Sequence, residues 1–422
     1  MHDVFTVKTE IPKIILPIAG RTAEEIFEQL PPVLNASPDV VEWRADYCED
    51  GKDPRKAAEI AKKLADALNG IPLLFTFRSA REGGMQDIAP DDYTALICRL
   101  SESRAVSAVD VEALTGEPAA RRIVQAAHAN NKAAVASCHD FDKTPSDEEM
   151  LALFRLMSET GADILKLAVM PRTEEDVERL LKVTRTAGQS LPRLITMSMG
   201  EKGKISRITG ELTGSFMTFG TAGVSSAPGQ IPAALLRSAL QNIHRLLRNG
   251  NLALIGFMGT GKTTVGKHLA ELFGLAFAET DYLIAAEAGM SIPEIFEKYG
   301  EAHFRDLESR ILKSLSEKTG CVISCGGGAV LRQENVDALR RVSRLILLTA
   351  SPETILARTM QDSSRPLLRG KKSAEDIKEL LSRREEAYQN AADITIDTDG
   401  MTIPELCREI ILRAAFLDSS AF

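Results

Sequence analysis

Gly256-Phe257-Met258-Gly259-Thr260-Gly261-Lys262-Thr263 stands near the middle of the chain, between the apolar run Asn251-Leu252-Ala253-Leu254-Ile255 and a stretch of helical periodicity from Val265 to Phe273. Strand, glycine-rich turn and helix in that order build a phosphate-binding loop. The glycines let consecutive backbone N–H groups point at the α- and β-phosphates of a nucleotide. Lys262 then reaches the β/γ oxygens, and the Thr263 hydroxyl can sit on magnesium. Gly256, Gly259, Thr260, Gly261, Lys262, Thr263 and Thr264 are the candidate cradle. A phosphoryl-transfer domain therefore begins near residue 250, and the residues before it need their own explanation.

Working outward, the chain has 422 residues, more than one hydrophobic core usually serves, and its 44% hydrophobic content can fill two. Lys and Arg number 30 against 34 Asp and Glu in residues 1–250, and 21 against 25 in residues 251–422. Neither half is a basic nucleic-acid module. Met1 is followed by His2-Asp3 with no apolar leader segment, and no run of about 18 apolar residues occurs. The expectation is a cytoplasmic protein with no membrane partner. The six cysteines lack zinc spacing, and a chain of this size needs no disulfides, so reduced thiols are expected. Cys138 beside His139 faces the opposite side of its strand and reads as packing.

In the first half, short β-branched or apolar runs recur at Lys13–Ile18, Val40–Ala45, Pro72–Phe77, Ala108–Glu112, Ala133–Cys138, Ile164–Val169, Leu194–Met199 and Ser215–Gly220. Helical stretches such as Pro54–Leu68, Ala119–Ala129, Ser146–Thr160 and Glu174–Thr186 separate them. Eight strand–helix units in this length predict an α/β (β/α)8 TIM barrel, with a doubly wound open sheet as the rival. The second half predicts a P-loop domain whose parallel sheet is flanked by helices. The boundary is placed between residues 248 and 249.

Ionisable residues favour the barrel. Glu42 with Arg44, Thr76 with Arg78, Asp110 with Glu112 and Ser137 with His139 are spaced by two and share a strand face, as Ile164 does with Lys166. Their neighbours Trp43, Phe75, Leu165 and Leu167 point the other way. A barrel tolerates that many inward charges only at its catalytic C-terminal mouth. Lys166, desolvated and near arginines, falls from its usual ~10.4 toward a free amine that attacks a ketone near neutrality. The resulting iminium acidifies the adjacent carbon, and His139 is the suitable base and later acid.

Glu42-Trp43-Arg44, Phe75 to Gly84, Cys138-His139-Asp140-Phe141, Ile164 to Ala168, Met197 to Gly200, Ile205-Ser206-Arg207 and Ser226 to Gln230 together resemble type I 3-dehydroquinate dehydratase, over Lys13 to His244. The resemblance implies that Lys166 forms an imine with the C3 ketone of 3-dehydroquinate, and that no cofactor is needed. His139 would remove the C2 proton and protonate the departing C1 hydroxyl. Glu82 would orient His139, and Arg207 would hold the carboxylate. Glu42, Arg44, Arg78, Ser226 and Gln230 would bind ring hydroxyls, with Ser226 and Gln230 carried on a loop that folds over the substrate.

Ala278 to Tyr282, Phe304 to Glu308, Ser324 to Gly328, Arg365 to Leu368 and Arg384 to Tyr388 resemble shikimate kinase, over Leu252 to Arg413. The resemblance implies ATP and Mg2+. Asp281 would accept a proton from the 3-hydroxyl of shikimate, and Arg305, Gly327, Gly328 and Arg384 would bind the substrate. Lys262 and Arg365 would stabilise the transferring phosphoryl group, while Arg358 would pack on adenine. The segment from Asp362 to Asp376 suits a lid carrying Arg365. Taken singly, Asp281 is equally a helix cap, Arg305 with Glu308 a surface pair, and Gly326 to Gly328 a tight turn. Glu279 stands where the family usually has Asp. It keeps a carboxylate for the metal together with Thr263, but adds a methylene that can alter the magnesium shell.

Three readings compete: a bifunctional enzyme of aromatic amino acid biosynthesis, a kinase fused to a silent regulatory barrel, and a phosphotransferase fused to an aldolase-like Schiff-base enzyme. The arginine set with Gln230 favours a carboxylated polyol over an aldolase substrate. No dinucleotide fingerprint occurs, so a separate NADPH-dependent shikimate dehydrogenase is the expected pathway partner. A homodimer through the barrel is left open.

Overall fold

The computed structural model describes residues 3–191, 193–223, 227–359 and 373–417; Ser226, Arg365 and most of the expected lid lie outside them. The chain divides into two units, residues 1–241 and 242–422. The dividing line falls inside the helix Ala233–Leu247.

The first unit contains β1 (Lys13–Ile18), β2 (Val40–Arg44), β3 (Leu73–Thr76), β4 (Ala108–Glu112), β5 (Ala133–Asp140), β6 (Ile164–Val169), β7 (Leu194–Ser198), β8 (Met217–Thr221) and the two-residue β9 (Ile231–Pro232). They pair in parallel in the order β7-β6-β5-β4-β3-β2-β1-β8-β9. Closure comes from the bridge between Leu194 and Ser215. There the Phe216 N–H donates to the Leu194 carbonyl at 2.9 Å, and the Thr196 N–H to Ser215 Oγ at 3.0 Å. The sheet is therefore a barrel, and the open-sheet alternative is set aside.

Alternation sorts every strand into two faces. Outward, Cys138, Leu165 and Leu167 pack on Met150, Phe154 and Leu180 of the covering helices. Inward, Phe5, Ile15, Val40, Leu74, Ala108, Ile164 and Met217 fill the N-terminal end of the barrel. Two residues further along their strands the filling changes to Glu42, Thr76, Asp110 and Lys166, all buried. Capping boxes start the helices behind β5 and β6, with Ser146 on Glu149 and Thr173 on Asp176.

The second unit contains β10 (Asn251–Ile255), β11 (Ala276–Glu279), β12 (Cys321–Ser324), β13 (Ser343–Thr349) and β14 (Ile394–Asp397), all parallel in the order β11-β12-β10-β13-β14. The chain leaves β10 toward one edge and later crosses to the other, so the strand order switches at β10. A crevice opens beyond the carboxyl end of such a strand. The phosphate loop lies there. Gly256, Gly259 and Gly261 have φ of +137°, +79° and +93°, values that L side chains rarely adopt. The helix after the loop starts at Lys262, earlier than the apolar periodicity indicated, because Gly261 is its N-cap.

Candidate active sites

At the carboxyl ends of the barrel strands, one cavity of about 70 Å³ is lined by Glu42, Arg44, Arg78, Glu82, His139, Lys166, Arg207 and Gln230, with Phe141, Met197, Phe219 and Ala227 as its apolar part. Lys166 is buried, its ammonium 3.9 Å from both Glu42 Oε1 and Asp110 Oδ2 and 4.4 Å from the centre of the Phe219 ring. Those separations are too long for hydrogen bonds. Burial lowers its pKa from the ordinary 10.5, against the pull of Glu42 and Asp110. An amine held so is poised to lose its proton.

His139 Nδ1 lies 3.0 Å from Glu82 Oε2. Burial, then the charges of Arg78, Lys166 and Arg44, hold His139 well below its usual value, while burial raises Glu82 despite Arg78. The imidazole is thus a neutral base whose orientation Glu82 fixes.

Arg78 is the hub of the charge network. Its guanidinium meets Asp110 at 2.7 Å, Ser137 at 3.0 Å, Glu112 at 3.2 Å and Glu82 at 3.3 Å. It was expected to bind ring hydroxyls, but most of its donors are committed to the protein. Arg44 is likewise gripped bidentately by the fully buried Asp46, at 2.7 and 2.8 Å. Asp46 and the pairing role of Asp110 and Glu112 were not anticipated. Asp46 lies two residues past Arg44, in the short turn that follows β2.

Arg207 differs from both. It is 1% exposed, donates to the carbonyls of Phe219 and Pro228 and to Met197 Sδ, and has no acidic partner among the described residues. Its Nε lacks any acceptor, and burial alone brings its pKa down to about 10. A buried cation without an anion is unstable by itself, so the geometry calls for an anionic ligand.

In the second unit two cavities, of about 350 and 380 Å³, share Glu279, Asp281 and Gly327. The first is lined by Gly259 to Thr264, Ser324 and Arg358. Lys262 Nζ donates to the carbonyls of Gly256 and Phe257 at 2.8 Å each. The Thr263 hydroxyl donates to Glu279 Oε1 at 2.7 Å and lies 3.3 Å from Ser324 Oγ. These hard oxygens facing a phosphate loop fit magnesium, and the glutamate reaches the threonine despite its extra methylene. Arg358 bonds Thr398 and the Gly259 carbonyl at the cavity rim.

The second cavity has apolar walls of Ile292, Phe296 and Phe304 and a polar end of Asp281, Arg305, Gly327, Gly328 and Arg384. Arg305 meets Glu308 at 2.7 Å, and Glu308 is fully buried, so this is no surface pair. A Cβ on Gly328 would collide with the Arg305 guanidinium. Arg384 donates to the Gly327 carbonyl at 3.2 Å. The phosphate-loop cavity and this second cavity, apolar-walled with a polar end, therefore meet at two carboxylates, Glu279 and Asp281.

Sequence comparison decides the assignment. The profile of the family described as Type I 3-dehydroquinase matches residues 14–247, more than half of the chain. The chain belongs to the type I 3-dehydroquinase family. The profile described as Shikimate kinase matches residues 258–415, so this 3-dehydroquinase is fused to a shikimate kinase domain and is a bifunctional shikimate-pathway enzyme that uses ATP. It is 42% identical over 233 residues to the 3-dehydroquinate dehydratase of Lactiplantibacillus plantarum, covering 55% of this chain and 92% of that one. The type I enzyme of Clostridium difficile, solved with covalently modified comenic acid, is 39% identical with a TM-score of 0.55, covering 57% of this chain and 95% of that chain. The enzyme of Geobacillus kaustophilus is 36% identical with a TM-score of 0.54, covering 56% and 96%. Among the described residues of the dehydroquinase–kinase chain, no helix is long and apolar enough to cross a membrane.

Proposed function

We propose that Lys166 and His139 carry the dehydration, and that Asp281 with the phosphate loop carries the phosphorylation, in domains that meet at residues 248/249. The Lys166 amine attacks the C3 ketone of 3-dehydroquinate, and the carbonyl oxygen leaves as water. His139 takes the C2 proton made acidic by the iminium, then returns a proton to the C1 hydroxyl as it departs. Water hydrolyses the imine, releasing 3-dehydroshikimate and restoring the amine. No cofactor enters this sequence. Arg44 and Arg78, fixed by Asp46 and by Asp110 with Glu112, set the field around the ring hydroxyls, aided by Glu42, Gln230 and Ser226.

The observation that carries this reading is the buried, acid-free Arg207, which matches the substrate carboxylate. Arg207→Met should raise the KM for 3-dehydroquinate about 10- to 100-fold, the worth of a charge-assisted hydrogen bond. The lysine should still be trapped by borohydride at high substrate. An unchanged KM would remove the carboxylate from this site.

In the kinase domain, Asp281 accepts the proton of the shikimate 3-hydroxyl as that oxygen attacks the γ-phosphorus. Arg305, Gly327, Gly328 and Arg384 hold the acceptor, and Arg358 packs on the base. Lys262 and Arg365 offset the charge on the transferring group. Thr263 and Glu279 would hold magnesium, which supplies charge neutralisation of the phosphates. The product of the first domain carries a ketone that must be reduced before the second can act, so a separate NADPH-dependent shikimate dehydrogenase is required. A cytoplasmic setting completes the reading.

A further inference from the structure

Gly83, His139 and Phe141 line two cavities at once. One is the catalytic cavity of the barrel; the other is a wider, more open cavity of about 830 Å³ on the far side of the same three residues, bordered by Leu114, Leu153 and Leu156. The partition is thin, and the Phe141 ring is its one bulky apolar part. Phe141 stacks on His139 with ring centres 6.4 Å apart and planes 18° from parallel. Phe141 is 39% exposed, whereas the His139 side chain is only 9% exposed. The phenyl ring therefore meets the outer cavity on one side and stands beside the imidazole, nearly parallel to it, on the other.

Gly83 makes room for this arrangement. Its φ is +80°, and a Cβ built there would lie 2.8 Å from Phe141 Cδ2 and closer still to the next two ring atoms. Any side chain at position 83 would push the ring off the histidine.

We propose that Phe141 is a positioning residue for the dehydration: its ring is the wall that keeps bulk water from the His139–Glu82 pair, and residue 83 is glycine so that the ring can lie there. The proposal rests on His139 being the base. Inside the wall, His139 is faced by Glu82 from the turn after β3, Arg78 from the end of β3, Arg44 from β2 and Lys166 from β6. Outside it, Arg81, Asp140, Asp142, Lys143 and Glu149 line the outer cavity. Removing the ring admits water and lets these outer charges be felt only through that water. Hydration favours the imidazolium, and it also favours the Glu82 carboxylate, which draws a proton to its neighbour. Both effects raise the histidine pKa. The neutral base then persists over a narrower range, and the acid limb of kcat/KM moves to higher pH.

The test is the His139 titration read by 15N-histidine NMR of the full chain, in which His139→Ala assigns the signal among six histidines. Alongside it runs the pH profile of kcat/KM for 3-dehydroquinate. Phe141→Ala should raise the His139 midpoint and the acid limb together by about one unit, toward the ordinary histidine value. Phe141→Leu should bring both back most of the way, and Gly83→Ala should reproduce the alanine shift by displacing the ring. A His139 midpoint within a few tenths of the parent in both Phe141→Ala and Gly83→Ala would overturn the proposal. If Phe141→Ala fails to fold, Gly83→Ala decides alone. A midpoint that moves while the acid limb stays would leave the wall standing and remove His139 as the base, which separates failure of the two readings.

Discussion

Lys166→Ala should lose dehydration by about four orders of magnitude or more, because the covalent route itself disappears. Phosphorylation of shikimate should continue at the parental rate. Every residue lining the barrel cavity falls between Glu42 and Gln230, and every residue lining the two kinase cavities comes from Met258 onward. Lys166 sits between Glu42 and Asp110 at 3.9 Å from each, with an aromatic ring beneath, so its replacement leaves no basic group on β6 to take over. Borohydride added to the parental enzyme with 3-dehydroquinate should fix a secondary-amine adduct on the peptide containing Lys166. Dehydration that survives the substitution, or an adduct on another lysine, would contradict the Schiff-base assignment.

The second large effect is expected at Lys262. The residue is 8% exposed, and its ammonium bridges the Gly256 and Phe257 carbonyls at 2.8 Å, directed across the loop where the phosphates belong. Lys262→Ala should reduce phosphoryl transfer about 100- to 1000-fold, the usual cost of removing a preorganised charge from the developing transition state. Dehydration measured on the same preparation should be unchanged. Pre-steady-state measurement of shikimate 3-phosphate at saturating ATP separates this from weaker nucleotide binding. A rate within a few-fold of the parent would show that the lysine does not act on the transferring group.

Much of both folds could be read from the sequence because parallel strands buried on two faces leave a strong record. The spacing of two that put Glu42, Arg44, Asp110 and Lys166 on one face is the spacing found around the barrel interior, and their neighbours pack outward on helices. Spacing fixes a face but not a partner, and the differences lie there. Arg78 and Arg305 line the candidate cavities, and each is also tied to acidic groups of the protein. Four oxygen partners surround the first, and Glu301 and Glu308 hold the second. Asp110, Glu112 and Ser137 reach Arg78 from other strands, which no local pattern encodes, whereas Glu301 and Glu308 stand about one helical turn to either side of Arg305 and only the depth of that helix face, set against Gly328, was hidden. Asp46 escaped for a related reason. It lies in a short turn past the end of β2, where strand alternation no longer applies, yet it clamps Arg44 and accepts the backbone N–H groups of Arg78 and Met85. Phe141 was visible as part of a motif, but its contact with Gly83 appears only when the turn after β3 and the end of β5 are brought together.

The most direct measurement supplies the purified full chain with 3-dehydroquinate, ATP and magnesium, and follows all species by mass spectrometry. Two chemistries separated by a missing reduction should leave 3-dehydroshikimate accumulating. Shikimate 3-phosphate should then form only after an NADPH-linked shikimate dehydrogenase and NADPH are added. Phosphorylated product without that addition, or no 3-dehydroshikimate from the chain alone, would contradict the assignment of these two reactions to the barrel and the phosphate-loop domain.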